Sequence, residues 1–497
     1  MNKTSTVYLL ALALFVSTIS ATQTKYQLTV QQSIELAVQK GLVASNVTSR
    51  YLAAKNRAES ARRALWTSVS LSVTAPDFTE SLRQQFNPLS ASYEYYRLKS
   101  TDWQAALNIS QPITLTGGTL TLSQYLLRRE QTSGLSSSNS TARDYFGDFA
   151  LELRQPILTS NTHRLARERA ELALQDAEAD FLNAQLDLVY QVTERFYTLY
   201  QQTQRLDIVK EQVKQNEESY TTALSKFSGG LIPEVDVLQS EVDLAASRND
   251  SLNAEREVAR ARNDFRLLVG IESGDSVAAT VDVEYAPITI DVEKALSSAL
   301  TFRTEALRAE RDIQLREIDI AQAKARSDLR VDVTARFGVN KTDSVFRDLF
   351  HGYNRSRSAA LTLSVPIFDW GSAGMNVEAA EVEYKNANVQ RDYVRQQISQ
   401  ETMDLINRIQ VAQSRIEVLK KSVGVAQQSY NISQQRFQNG TITRNDLAQA
   451  QQRLTTARTN ALSALIDYRL GVADLTRKTH WDFHHNSPVE PIIRVEE

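Results

Sequence analysis

Few side chains in this sequence stand in patterns that chemistry uses. Of its five histidines, three fall together as His480, His484 and His485, and a His-x-x-x-His spacing on a helix can hold a metal ion. The stretch around them carries Pro488 and Pro491 and no hydrophobic periodicity, so it reads as a tail with incidental histidines, and no metal ligand is assigned. Asp236 and Asp446 occupy matching places far apart in the chain. Thr443-Arg444-Asn445-Asp446 has the pattern of a capping box, and acids in a helix's first turn complement its dipole. Elsewhere there is no nucleophile beside a base, no glycine loop to cradle phosphate and no ligand cluster. These residues predict a protein that is not an enzyme and holds no cofactor.

The bulk properties narrow the class. Across 497 residues, 56 basic side chains stand against 59 acidic ones, a balance that argues against a nucleic-acid partner. Cysteine is absent, so neither disulfide staples nor a lipid-bearing N-terminal cysteine is expected. Residues 1–21 read as a cleaved secretory signal: Lys3, an apolar run from Val7 to Val16, then Ser17, Ser20 and Ala21. That run of about 10 residues is too short to cross a bilayer, which takes about 20; an uncleaved anchor is the other reading. No later segment approaches such a length, which leaves soluble export or a transmembrane β-barrel, whose signal per strand is weak.

The elements that must carry any site are declared by a repeat. Arg205, Lys210, Ser219, Tyr220, Phe227, Gly230, Ile232, Asp236, Gln239, Leu244 and Arg248 recur as Arg415, Lys420, Ser429, Tyr430, Phe437, Gly440, Ile442, Asp446, Gln449, Leu454 and Arg458. The offset is about 210 residues, far beyond a solenoid unit. Gln155-Pro156-Ile157-Leu158 likewise matches Val365-Pro366-Ile367-Phe368. The reading is a duplicated half-protein: a first repeat over 26–271, a second over 286–478 and a flexible tail over 479–497.

Within the first repeat, helices are expected over about 31–65 and strands within 67–158, where Val69, Leu71 and Val73 alternate with serines. Ala106-Leu107, Ile109 and Gln111-Pro112-Ile113 repeat as Ala150-Leu151, Leu153 and Gln155-Pro156-Ile157. The first half thus holds an inserted hairpin over about 101–129, turning at Thr116-Gly117-Gly118-Thr119. Tyr93, Tyr95, Tyr96, Trp103, Tyr125 and Tyr145 crowd this region, as an interfacial girdle or as an aromatic-rich outer loop. The second repeat is expected to hold helices over about 291–329 and strands over about 330–340 and 359–368.

Each repeat then enters a helix of unusual length. With only 16 glycines and 9 prolines in the chain, the hairpins over about 162–270 and 373–475 run almost unbroken to tips at 228–233 and 438–443. A rod of about 65 residues is near 100 Å long. Asp264-Phe265-Arg266-Leu267 returns as Asp467-Tyr468-Arg469-Leu470, seven residues early, which reads as removal of one heptad from a coiled coil. The surfaces are rich in Gln, Glu, Lys and Ser with thin apolar stripes, which suits the wall of a hollow tube. Two strand pairs cannot close a barrel alone, and open edges are forbidden in a bilayer, so several copies must share one barrel around a cyclic axis.

These motifs resemble the TolC-type outer membrane efflux protein family, from about Leu28 to Asp474. The resemblance rests on Leu28-Thr29-Val30 and Ile288-Thr289-Ile290, the two Pro-Ile motifs, and the turns Phe227-x-x-Gly230-x-Ile232 and Phe437-x-x-Gly440-x-Ile442 with their aspartates. It implies mixed α with membrane β: two tandem repeats of a strand pair plus a long coiled-coil hairpin, forming a trimeric β-barrel continuous with an α-helical barrel. It implies an outer membrane channel subunit of a tripartite efflux pump or type I secretion system, a homotrimer with a periplasmic adaptor, an inner-membrane transporter and outer membrane lipid as partners. An exported coiled-coil structural protein without a channel is the alternative. The adaptor-binding tips would be Gly229, Gly230, Leu231, Ile232, Gly440, Thr441 and Ile442, with Asp236 and Asp446 ringing the periplasmic entrance. Two charged positions of the family's gate are Gln449 and Ile442 here, which leaves its latch incomplete.

Overall fold

The computed structural model describes residues 25–87, 91–133, 140–272, 276–280, 287–327 and 329–493. The expected signal segment 1–21 lies outside them. In chain order the first half comprises β1 (Lys25–Leu28), α1 (Val30–Lys40), α2 (Leu42–Arg63), β2 (Ser68–Asn87), β3 (Ser92–Ile113), β4 (Gly118–Ser133), β5 (Ser140–Ile157), α3 (Thr162–Ser228) and α4 (Glu234–Val269). The second comprises β6 (Ser276–Ala279), α5 (Val292–Phe302), α6 (Thr304–Ser327), β7 (Arg330–Asp343), β8 (Asn354–Ser364), α7 (Ser372–Gln438), α8 (Arg444–Thr479), β9 (Trp481–Asp482) and β10 (Ser487–Pro488).

Local chemistry starts these helices where the sequence offers caps. Thr29 closes a capping box with Gln32 at the head of α1, and Asn161 and Asp291 accept from the backbone N–H groups of Arg164 and Lys294. Each such cap contributes about 1 kcal/mol. The long rods α3 and α7 are both 67 residues, and α4 and α8 are both 36. Few residues of any rod are buried. Four helices stand side by side in the order α2, α3, α6, α7, each joined to a strand of one sheet.

α4 and α8 are equal in length, so the seven-residue step in the repeat falls between each tip and its aromatic motif. The Asp467-Tyr468 motif sits seven residues closer to the tip, and α8 runs on to Thr479. A seven-residue step keeps a residue on the same face, so Phe265 and Tyr468 are both wholly buried. Phe265 packs edge-on against Phe196, whereas the Tyr468 hydroxyl accepts from the Ile288 N–H at 3.1 Å.

The sheet is six-stranded and antiparallel, in the order β2-β3-β4-β5-β7-β8. The inserted hairpin is therefore part of it, and its pairing runs well past 101–129, from Leu98↔Ser133 to Ile113↔Gly118. The second repeat is read less well by sequence. β8 begins at Asn354 and ends at Ser364, so Val365-Pro366-Ile367-Phe368 follows the strand, although Gln155-Pro156-Ile157 lies within β5. Proline has no N–H to give a ladder, and Pro156 stands one residue from the end of β5, beyond Arg154, where that strand's pairing with β4 stops.

The tail corrects an expectation. The described part of 479–497 is folded: β9 pairs with β10, and the Ile492 and Ile493 N–H groups donate to the buried Gln185 side chain at 2.9 and 2.8 Å. Lys294 lies 4.0 Å over the Trp481 ring. His480 ends α8 in the left-handed conformation and is 5 % exposed, whereas His484 and His485 are on the surface. The three are thus separated, and His485 pairs with Asp482 at 2.6 Å. A further short pair, β1 with β6 in parallel, ties the start of the first repeat to the start of the second.

Candidate functional site

Two places carry the chemistry of this molecule, the two faces of the sheet and the two hairpin tips. Side chains alternate across a strand, and the register lets each face be followed across all six. One face carries Val69 and Leu71 on β2, Leu107 and Ile109 on β3, Leu120 and Leu122 on β4, Leu151 and Leu153 on β5, Val331 and Phe337 on β7, and Leu361 and Leu363 on β8. The inserted strands share the apolar face of the others. Val69, Leu71, Leu361 and Leu363 are 59–71 % exposed, so the apolar band on the two edge strands is uncovered among the described residues, whereas the short turn Phe346–Phe350 packs over Tyr145 and Gly147 farther along this face.

The opposite face is polar. Arg336 bonds Asp148 at 2.5 Å and Glu152 at 3.5 Å, Arg129 bonds Asp102 at 2.9 Å, and Arg154 approaches Asp332 at 3.7 Å. At the sheet's base a cleft of about 1020 Å³ opens on the same side, lined in part by Arg154, His163, Arg326 and Asp332. Apolar outside and charged inside is the pattern of a water-filled transmembrane barrel.

The aromatic residues divide between the two readings given to them. Trp103, stacked under Arg128 at 4.4 Å, and Tyr145, edge-on to Phe346, lie at one level of the outer face. Tyr125 points to the polar face beside Asp148, and Tyr93, Tyr95 and Tyr96 lie farther out along β3 than Trp103, toward the start of that strand. From Trp103 to Pro112, and from Tyr145 to Arg154, are about ten residues. At 3.4 Å each and a tilt near 40° they rise roughly 25 Å, the height of a barrel's apolar band.

The backbone turns at the two tips are alike. In the first, Gly230 donates to the Phe227 carbonyl at 2.9 Å and Leu231 to that of Lys226 at 2.8 Å. In the second, Gly440 donates to Phe437 at 3.0 Å and Thr441 to Arg436 at 2.9 Å. Both glycines have φ of 73°, the left-handed value that L side chains resist. Gly229, Gly230, Leu231, Gly440 and Thr441 are exposed, Leu231 at 75 %, with Ile232 and Ile442 half-buried.

The aspartates differ. Asp446 is exposed and committed to its cap: the Thr443 hydroxyl donates to it at 2.7 Å and the Thr443 N–H at 3.0 Å. The Thr443 side-chain bond, with its backbone bond second, holds the Asp446 carboxyl below the usual carboxylate range. Asp236 is half-buried on the other hairpin and lies in the field of Arg444. The two aspartates stand on different hairpins, Asp446 bound to its own cap on α8 and Asp236 near the head of that same helix.

Sequence reasoning passed over the groups that join the hairpins. Arg444 donates to Asp243 and, at 3.2 Å, to the buried Ser240 hydroxyl. Lys226 donates to the Phe437 carbonyl and lies 4.4 Å over its ring. Tyr430, buried in the cluster of Phe437, Leu447 and Leu454, has its hydroxyl pushed up to about 12 by burial and by Glu218. One signal was available, since Arg444 is the first helical residue of α8. A cation there opposes the helix dipole, so it must serve something else.

A polar-lined six-stranded sheet on a wall of rods is the plan of an outer membrane efflux protein, and comparison with known proteins agrees. The family model for outer membrane efflux protein matches residues 119–271 and 295–478, and the chain belongs to that family. It is 24 % identical to outer membrane protein OprJ of Pseudomonas aeruginosa over 317 residues, 63 % of each chain. It is 22 % identical to the cation efflux system protein CusC of Escherichia coli O157:H7 over 67 % of this chain and 69 % of that one. Among solved structures, the CmeC outer membrane channel of Campylobacter jejuni aligns with TM-score 0.68 at 14 % identity, covering 93 % of this chain and 87 % of that one. VceC of Vibrio cholerae aligns with TM-score 0.66 at 17 % identity, covering 93 % and 97 %. At such identities these structures speak for the fold alone.

Proposed function

We propose that this chain is the outer membrane subunit of a tripartite efflux pump or type I secretion system. It works as a passive exit duct for substrates handed over by an inner-membrane transporter through a periplasmic adaptor. The carrying observation is the sheet: six strands, one apolar face, one charged face, and a neighbour on only one side of β2 and of β8 among the described residues. Six strands are fewer than the eight of the smallest usual barrel, and open edges cannot stand in lipid. Several copies must therefore close it, and the family reading makes them three, with eighteen strands.

The circumference supports inclusion of the inserted hairpin. Six strands at 4.8 Å spacing, tilted near 40°, span about 38 Å of barrel wall. The four helices that join them span about 36 Å at 8–10 Å apart, whereas four strands would span only about 25 Å. With six, barrel and helical tube meet at nearly equal girth, and the backbone radius is about 18 Å.

At the other end, Gly229, Gly230, Leu231 and Ile232 with Gly440, Thr441 and Ile442 are the surface for the adaptor, because Leu231 stands 75 % exposed at a rod's end among the described residues. Asp236 and Asp446 belong to the entrance, with the Asp446 carboxyl held below the usual carboxylate range by its Thr443 bonds.

Because the chain has no cysteine, single-cysteine labelling tests the barrel. Ser123→Cys on the polar face of β4 should react with a membrane-impermeant maleimide in reconstituted protein, and Leu122→Cys next to it should react only with a lipid-soluble one. Equal aqueous labelling of both would place the hairpin outside the bilayer. Fractionation should find an SDS-resistant trimer in the outer membrane; a soluble product would end the channel reading.

A further inference from the structure

The contact between the two hairpins of one chain carries a code for how copies join. Across that contact Lys226 of α3 covers Phe437 of α7, and Asp243 of α4 holds Arg444 at the head of α8. The repeats are built alike, with rods of 67 and 36 residues and tip turns alike in their backbone. A ring of copies places the second hairpin of one chain beside the first hairpin of the next, a heterologous contact closed by rotation. Shifting each partner to its counterpart in the other repeat shows what would meet there. Lys226 and Phe437 become Arg436 and Phe227, again a cation and a phenyl ring. Asp243 and Arg444 become Arg453 and Glu234, again an ion pair, with its charges exchanged.

We propose that Arg436 and Arg453 of one copy engage Phe227 and Glu234 of the next, so that a second copy of this chain occupies the outer flanks of both tips. This rests on the ring assembly proposed above and names its contacts. In the single chain the four residues lack the cross-hairpin contacts of their counterparts, Arg436 lying only in the field of Asp446 on its own hairpin. Phe227 is 41 % exposed whereas Phe437 is 5 % exposed. Glu234, Arg436 and Arg453 are exposed, with no ion pair among the described residues. Because Asp243 and Arg444 already hold each other within each chain, first hairpin against first hairpin would set Glu234 against Glu234, and second against second would set Arg453 against Arg453. Like charges disfavour both contacts, so first-to-second alternation around the ring is the order that pairs them.

The test uses the full chain in outer membranes, where it has no native thiol to interfere. Glu234→Cys with Arg453→Cys, treated with a short bis-maleimide, should give covalent dimers and trimers on a denaturing gel. Asp243→Cys with Arg444→Cys should react within one chain and leave only monomer. Glu234→Arg and Arg453→Glu should each lower the SDS-resistant trimer several-fold, and together restore it. If a wild-type trimer forms but the first pair fails to link chains while the second pair reacts, or if the double exchange does not rescue, the inference is wrong and the duct reading stands. If the wild type is not an oligomer at all, both fall.

Discussion

The ammonium of Lys226 lies 4.4 Å from the centre of the Phe437 ring and donates to that residue's own carbonyl. One side chain of α3 thus holds both the ring and the backbone of α7 one residue before that helix ends. The ring in turn covers Tyr430, Leu447 and Leu454, so the pin connects the end of the first hairpin to the small core of the second.

Removing that charge should loosen the second tip more than the first. Lys226→Met keeps the aliphatic stem and loses a cation–π contact and a hydrogen bond, about 1 to 2 kcal/mol together. Hydrogen exchange should accelerate over 430–447 and change little over 219–235. Equal acceleration at both tips would contradict the pin.

The Arg444–Asp243 pair should respond unequally to its two deletions. Burial already pulls the Arg444 guanidinium below its ordinary value, and its side chain is 15 % exposed against 37 % for Asp243. Asp243→Ala strands the less exposed charge and should cost about 2 kcal/mol, whereas Arg444→Ala leaves a carboxylate that water can reach and should cost about half as much. Thermal melting of the purified protein checks the order; a larger loss for Arg444→Ala would refute it.

The C-terminal clamp should weaken in acid. Burial lowers the His480 pKa below its ordinary 6.5, and neither ring nitrogen has a partner among the described residues. The unfolded chain therefore binds the proton more readily than the folded one. Stability is fully present above about pH 6.5 and falls as the pH drops below it, until the folded-state value is passed. Melting temperatures at pH 7.5 and 5.5 should differ by less in His480→Asn than in the wild type. An unchanged difference would mean that other groups carry it.

Insertions in α7 distinguish a packed wall from a loose rod. Four residues placed midway between Arg395 and Phe437 turn the following helix by about 50° relative to its neighbours, whereas seven restore its face. Export should be lost in the first variant and largely kept in the second; equal damage would argue against side-by-side packing.

Much of this plan was legible in the chain itself. The repeat at about 210 residues, the glycines at 230 and 440, the alternation at Val69, Leu71 and Val73, and the scarcity of proline and glycine set the rods, their turns and the membrane strands. These are local signals, with periods of 3.6 and 2 and a conformation that only glycine adopts easily. Where local signals conflict or vanish the reading slipped. Val365-Pro366-Ile367-Phe368 carried a strand-like motif but lies beyond β8, and the tail after Thr479 has no period yet is held by Gln185 and Lys294.

The tertiary structure decided what depends on residues far apart in sequence. That the inserted hairpin joins the sheet follows from β4 pairing with β5 on one side and β3 on the other, and hydrogen-bond register leaves no mark in composition. That Lys226 meets Phe437, and Arg444 meets Asp243, follows from two rods lying side by side. Ion pairs and ring contacts between helices carry no sequence period, so their partners become visible only when the rods are placed together.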